Sequence, residues 1–147
     1  MKNLLFLFLI LSLLAASACG GGNKKTETPE DVQRNYENQK ALAIASFRRG
    51  NFKQALTEIE EAQKLNDQDA EVYLIKGAIY FKLKDYPLAE DGYKKALGVN
   101  PSYTAARFNL CGLYLVEKKY QQAISECEAV VADPAYDARA NAYTNIG

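Results

Sequence analysis

The sequence predicts an all-α fold, a right-handed solenoid of antiparallel helix pairs, and a 34-residue internal repeat is the main reason. When the chain is shifted by 34 residues, small residues align with small residues and aromatic residues with aromatic ones through three copies without a gap. Such a period is typical of units that bury their apolar faces only by stacking on their neighbours. The aligned columns are Phe52, Tyr86 and Tyr120; Ala55, Ala89 and Ala123; Ile59, Tyr93 and Cys127; and Ala62, Ala96 and Val130.

The alanine column predicts where the two helices of each pair cross. Isolated helices shorter than about 12–15 residues are marginal in water, so each predicted helix needs a packing partner. Two helix backbones approach closely only where the side chains between them are small. We therefore expect Ala55, Ala89 and Ala123 at the crossing points.

Capping residues and turns set the predicted boundaries. Thr28 is a helix N-cap followed by Pro29 at the first helical position, with acidic residues in the first turn. The predicted helices lie near 29–49, 52–65, 70–84, 86–98, 103–117, 120–132 and 137–147. They form a domain at 29–147, with repeats at about 36–69, 70–103 and 104–137 and the start of a fourth at 138–147.

The repeat resembles the tetratricopeptide repeat (TPR) family over roughly residues 36–147. The second repeat matches best, through Tyr73, Gly77, Tyr80, Ala89, Tyr93, Ala96 and Pro101, whereas the first has Ser46 where tyrosine is usual. The resemblance implies a scaffold that binds protein partners through a concave face formed by the first helix of each pair.

The N-terminus is typical of a secretory signal. Lys2 precedes an apolar stretch from Leu4 to Leu14, which small residues and Cys19 follow. The stretch is shorter than the roughly 20 residues that span a bilayer, which disfavours the alternative of a permanent transmembrane anchor. Cleavage before Cys19 resembles that of bacterial lipoproteins, although Ala16 replaces their usual leucine. The resemblance implies a signal peptide at 1–18, acylation of Cys19, and membrane attachment through this lipid at the periplasmic face of the outer membrane.

Residues 19–28 are predicted to be a flexible tether between lipid and domain. Gly20, Gly21 and Gly22 precede Lys24 and Lys25. The spacing is not that of a phosphate-binding loop, and glycine-rich chain has no preferred conformation.

Composition argues against several function classes. Eighteen basic and eighteen acidic residues cancel, so the chain lacks the basic surface that nucleic acids select. The absence of histidine removes the usual general base and the commonest zinc ligand. We expect no enzyme activity, no catalytic or metal site and no cofactor.

The positions that point to the concave face in the TPR family become less charged toward the C-terminus. The predicted partner-binding groove is formed by Ile44, Phe47, Leu74, Phe81, Phe108 and Leu115. The basic and asparagine pattern that clamps a C-terminal carboxylate in chaperone-binding TPR proteins is missing. The alternative is that some of these side chains pack between neighbouring first helices. The paired acids of the second helices, Glu60 and Glu61, Glu90 and Asp91, and Glu126 and Glu128, are expected on the solvated surface.

Cys111 and Cys127 face each other across the third predicted pair. The periplasm is oxidising, so they are candidates for a disulfide. Buried free cysteine also behaves as a small hydrophobic residue, and two packed thiols are the favoured alternative.

A narrower resemblance concerns the C-terminal segment. Residues 132–140 together with Asn145, Ile146 and Gly147 resemble type IV pilus biogenesis lipoproteins, the PilF, PilW and Tgl group. This implies a partner such as a secretin subunit or another pilus assembly protein. One alternative is an adaptor lipoprotein for general envelope assembly or for a cell-wall synthase. The other is a fragment of a longer repeat array, since the fourth repeat is incomplete.

Overall fold

A computed structural model of the protein describes residues 27–146. They form seven α-helices and no strand, in agreement with the predicted all-α class. The predicted signal peptide, Cys19 and most of the tether lie outside the described residues. The helices are α1 Pro29–Arg48, α2 Phe52–Leu65, α3 Ala70–Lys82, α4 Tyr86–Val99, α5 Thr104–Val116, α6 Tyr120–Val131 and α7 Arg139–Ile146.

Capping residues begin three of these helices. Thr28 and Asp31 form a reciprocal capping box, in which each side chain accepts a hydrogen bond from the other residue's backbone N–H, at 3.1 and 3.2 Å. Asp69 accepts a hydrogen bond from the backbone N–H of Glu71 at the start of α3, and Asp85 accepts one from that of Leu88 at the start of α4. These bonds satisfy amide groups that have no partner within the helix.

The turn inside each pair has one repeated conformation. Gly50, Lys84 and Lys118 lie 34 residues apart and have φ angles of 80°, 64° and 60°. The backbone N–H of each donates to the carbonyl three residues earlier, and the next N–H donates to the carbonyl five residues before it. This hydrogen-bonding pattern is the Schellman motif. It ends α1, α3 and α5 one or two residues before the predicted boundaries, because the left-handed residue cannot continue the helix.

The helices of each pair cross at small residues. Ala55, Ala89 and Ala123 are fully buried or nearly so, as expected for the crossing column. In the second pair, two glycines also meet where the helices cross. A Cβ added to Gly92 would lie 2.8 Å from the Cα of Gly77, so this crossing depends on Gly92 as well as on the alanine.

The pairs stack into a curved array. The first helices α1, α3, α5 and α7 contact one another in sequence. Among the described helices, the second helices α2, α4 and α6 make no such contacts with each other. The first helices are therefore on the inner, concave side, and clefts open between the second helices on the outer side.

Candidate protein-binding face

All six predicted groove residues lie on first helices. Each of them is partly exposed. They are Ile44 and Phe47 on α1, Leu74 and Phe81 on α3, and Phe108 and Leu115 on α5. The curvature of the array places these helices on the concave side, so the predicted residues share one face. Their partner-binding role stays a prediction.

The three groove phenylalanines also pack against aromatic neighbours. Ring centroids lie 5.7 Å apart for Phe47 and Phe52, 5.8 Å for Phe81 and Tyr86, and 6.0 Å for Phe108 and Tyr136. Such tilted pairs contribute about 0.5–1.5 kcal/mol beyond area burial. Each phenylalanine therefore holds its repeat together with one part of its ring and leaves another part accessible.

The two groove leucines partly fit the alternative interpretation, in which groove side chains pack between neighbouring helices. Leu74 contacts the buried clusters around Tyr93 and around Ala96, and Leu115 contacts those around Tyr93 and around Cys111. Both leucines join neighbouring pairs. Because they are only partly buried, the same side chains also contribute apolar surface to the groove.

Two further residues on α5 extend the accessible surface of the groove. Val116 is 49% exposed, although it is a large apolar residue. A Cβ added to Gly112 would have no neighbouring atom within 4 Å, so open space lies above the helix there. The structure reveals this open space, which the sequence alone does not show.

An ion-pair network surrounds Lys40 on α1, at the N-terminal end of the array. Its ammonium group lies 3.1 Å from carboxylate oxygens of both Asp69 and Glu71, and 3.7 Å from one of Glu37. Tyr36 donates its hydroxyl hydrogen to Asp69, and Lys40 lies over the Tyr36 ring. The network joins α1 to the start of α3.

These contacts shift the pKa of each partner. Burial, together with the bond to Asp69, raises the pKa of Tyr36 to about 12. The pKa of Lys40 is raised by its hydrogen bonds to Glu71 and Asp69, which outweigh the opposing effect of burial. Lys40 therefore stays charged and is paired with carboxylates of its own chain.

Two acids that were expected on the solvated surface are instead structural, so that expectation was wrong for them. The Glu90 side chain is only 18% exposed, and it accepts hydrogen bonds from the Tyr114 hydroxyl at 2.9 Å and from Lys119 at 3.2 Å. Glu126 pairs with Arg107 at 3.2 Å. The error arose because helical position predicts the direction of a side chain but not its partner on a neighbouring helix.

The Glu90 contacts favour its charged form. The hydrogen bond from Lys94 is the largest cause, and the bonds from Tyr114 and Lys119 act in the same direction against the effect of burial. Together they lower the pKa of Glu90 to about 2. Since Glu90 is on α4 and Tyr114 on α5, this carboxylate joins the second pair to the third.

Cys111 and Cys127 meet in the interior of the third pair. Both are fully buried, their Cα atoms lie 5.4 Å apart, and the structure joins their sulfurs as a disulfide. The side-chain amide of Asn145 on α7 approaches the Cys111 sulfur at 3.9 Å. A Cα separation in this range is what a disulfide requires. That this disulfide also forms in the cell is a prediction, which thiol counting tests.

Residues 27–146 contain no group of three or more Cys, Asp or Glu residues arranged to hold a metal ion. None of the helices in this range combines the length and apolarity needed to cross a bilayer.

Comparison with known proteins agrees with this geometry. The sequence model of the tetratricopeptide repeat matches residues 70–103. The chain therefore contains a tetratricopeptide repeat at residues 70–103. Its TPR solenoid has the fold of the Arabidopsis OM64 TPR domain, with a TM-score of 0.70 and 21% identity over 78% of this chain and 96% of that one. The structure of PcrH in complex with the chaperone-binding region of PopD has a TM-score of 0.72 and 21% identity, over 78% and 90% of the two chains.

The TPR chain also resembles a pilus protein. It is 25% identical to the type IV pilus assembly protein PilF of Pseudomonas aeruginosa over 123 residues, which are 84% of this chain and 48% of that protein. The solved structure of Pseudomonas aeruginosa PilF has a TM-score of 0.73 and 20% identity, over 78% of this chain and 52% of that one. The chain thus spans about half the length of the relative that it matches.

Proposed function

We propose that this TPR protein is a lipid-anchored scaffold at the periplasmic face of the outer membrane that assists type IV pilus assembly. In this proposal its concave face binds a secretin subunit or another pilus assembly protein. The similarity to PilF carries the proposal, since it extends over 84% of this chain in sequence and recurs in three dimensions.

The composition of the concave face supports a protein ligand. Partly exposed aromatic and aliphatic side chains follow one another along α1, α3 and α5, and Val116 adds an exposed apolar group at the end of α5. Contiguous apolar surface of this kind usually marks an interaction site. An apolar segment of a partner protein can place its anchoring side chains along such a groove.

The N-terminal sequence supports the anchor. Acyl chains contribute about 0.8 kcal/mol for each buried CH₂, so two or three chains on Cys19 would hold the protein firmly on a membrane. The glycines after Cys19 would separate the TPR domain from the lipid surface and leave the groove accessible from the periplasm.

Isolation of the full chain from membranes of its own organism tests both parts of the proposal. We expect the secretin subunit to copurify with the wild-type chain. We expect the Cys19→Ala variant to incorporate no palmitate analogue and to leave the outer-membrane fraction. Copurification of a cell-wall synthase or an envelope-assembly factor without any secretin would contradict the pilus role. Equal membrane association of wild type and Cys19→Ala would contradict the lipid anchor.

A further inference from the structure

A cleft opens on the outer side of the TPR array, opposite the concave face. The second helices α2 and α4 do not contact each other, and α3 forms the floor between them. The cleft has a volume of about 170 Å³, and its walls include Tyr73, Lys76, Tyr80, Asp91, Gly92 and Lys95.

The equivalent position one repeat later is filled by the chain itself. Between α4 and α6, above α5, Arg107 pairs with Glu126 at 3.2 Å. The Tyr114 hydroxyl donates to Glu90 at 2.9 Å in the same region. Two carboxylates of the chain therefore satisfy the donors of α5.

The 34-residue register shows what the first cleft lacks. Tyr73 and Tyr80 take the positions of Arg107 and Tyr114, so donors are kept on the floor. The positions of Glu90 and Glu126 are taken by Leu56 and Gly92, so those two carboxylates have no counterpart here. The acid that does line the cleft, Asp91, is paired with Lys95. Gly92 cannot carry a side chain, because its Cβ would lie 2.8 Å from the Cα of Gly77. The close helix contact thus keeps the cleft open.

Several hydrogen-bond donors around the cleft have hydrogens that no acceptor in the described part of the chain uses. Among residues 27–146, the hydroxyl groups of Tyr73 and Tyr80 have no hydrogen-bond partner. Lys76 bonds to Gln63 and Glu60, each at 3.1 Å, and Lys95 to Asp91 at 2.7 Å. Since an ammonium group has three donor hydrogens, each lysine keeps at least one for a ligand.

We propose that this cleft binds the carboxylate of an aspartate or glutamate side chain from a partner protein. That carboxylate would take the place that the chain's own Glu90 and Glu126 take one repeat later. Leu88 lies at the rim and is 43% exposed, so it can contact the methylene groups of the incoming side chain. The lysines are already paired with acids, and the recognition is therefore by hydrogen bonds more than by net charge. This site is independent of the concave face and of the pilus role.

Nuclear magnetic resonance titration of the isotope-labelled full chain in detergent tests the site with three small probes. The probes are glutamate capped at both ends, so that only its side-chain carboxylate is free, the equivalent capped glutamine, and acetate. We expect saturable shifts of the Gly92 and Lys95 amides with capped glutamate, weaker ones with acetate, and none with capped glutamine.

Two matched variants assign the binding to the cleft. Tyr80→Phe removes one donor and should weaken the binding of capped glutamate by about tenfold, because hydrogen bonds to charged groups are among the stronger ones. Tyr114→Phe makes the same change in the filled cleft and should leave that affinity unchanged. Circular dichroism confirms that both variants are folded.

Three results would overturn the proposal. One is equal shifts with capped glutamate and capped glutamine, because a carboxylate would then not be recognised. Another is an affinity for acetate equal to that for capped glutamate, because the site would then take a free anion and not a protein side chain. The third is an unchanged affinity in folded Tyr80→Phe.

Discussion

Cys111 and Cys127, with Cα atoms 5.4 Å apart, stand in the same two columns as Gly77 and Tyr93 one repeat earlier. In the second pair, a glycine makes room for a ring: a Cβ on Gly77 would lie 2.7 Å from ring atoms of Tyr93. In the third pair, two side chains of intermediate size share that space. The disulfide in the third pair therefore occupies the space that the contact between the Tyr93 ring and Gly77 fills in the second pair.

Thiol counting tests the state of this cysteine pair. We expect that denatured, non-reduced protein exported to the periplasm has no reactive thiol at Cys111 or Cys127. In the chain-entropy account, a bridge that closes a loop of this length contributes about 3 kcal/mol. Reduction should therefore lower the thermal midpoint of wild type but not that of the Cys111→Ala, Cys127→Ala double variant. Two reactive thiols in the exported wild type would establish the alternative of packed, unbridged cysteines.

Two glycines of α4 provide a test of the helix crossing. Gly92→Ala forces a Cβ against the backbone of Gly77, and overpacking of this kind typically costs about 1–3 kcal/mol. Gly98→Ala meets no atom within 4 Å and should stabilise the helix by about 0.5–1 kcal/mol. Urea unfolding curves measure both changes. A Gly92→Ala variant as stable as Gly98→Ala would show that the two helices do not cross at Gly92.

The repeated turn predicts that two lysines are strained. Lys84 and Lys118 have the positive φ angle that Gly50 has in the first pair. Because a side chain in this region costs about 1–2 kcal/mol, Lys84→Gly and Lys118→Gly should each raise the free energy of unfolding by about 1 kcal/mol. Gly50→Ala is the converse control and should lower it by a similar amount. Destabilisation by both lysine substitutions would contradict the turn conformation.

The contacts of Glu90 predict a loss of stability in acid. Its folded pKa of about 2 lies below the ordinary value of 4.5, so its contribution is fully present above about pH 4.5 and is lost as the pH falls toward 2. Glu90→Gln should cost about 2 kcal/mol at pH 7, on the scale of hydrogen bonds to a charged group, and nearly nothing at pH 2. Denaturant unfolding at both pH values measures the difference, and an equal cost at both would contradict the role of the charge.

Much of this fold could be predicted from the sequence, because a 34-residue period constrains every repeat at once. The crossing column at Ala55, Ala89 and Ala123 and the cap at Thr28 follow from side-chain size and hydrogen-bonding capacity. Contacts between neighbouring helix pairs were harder to predict from the sequence. Glu90 carries no sequence signal that it accepts a bond from Tyr114, since that contact depends on how two pairs stack.

The concave face was predicted only in outline. The positions that point to the concave face in the TPR family identified the helices that form this face. They could not show how much of the Phe81 ring is covered by its contact with Tyr86. The open space above Gly112 and the cleft beside Gly92 also required coordinates. Both arise from a missing side chain, and the sequence does not reveal whether a neighbour fills the gap.

Partner binding by a matched pair of glycine variants tests the central claim, that the concave face binds the partner protein. An added Cβ meets no atom within 4 Å at either Gly112 on the concave α5 or Gly98 on α4. Gly112→Glu and Gly98→Glu should therefore both fold, and both add the same charge. Calorimetric titration with the purified periplasmic domain of the organism's own secretin should show at least about a tenfold loss of affinity for Gly112→Glu, since a buried unpaired charge is costly, and none for Gly98→Glu. Wild-type affinity in a folded Gly112→Glu variant would contradict the account.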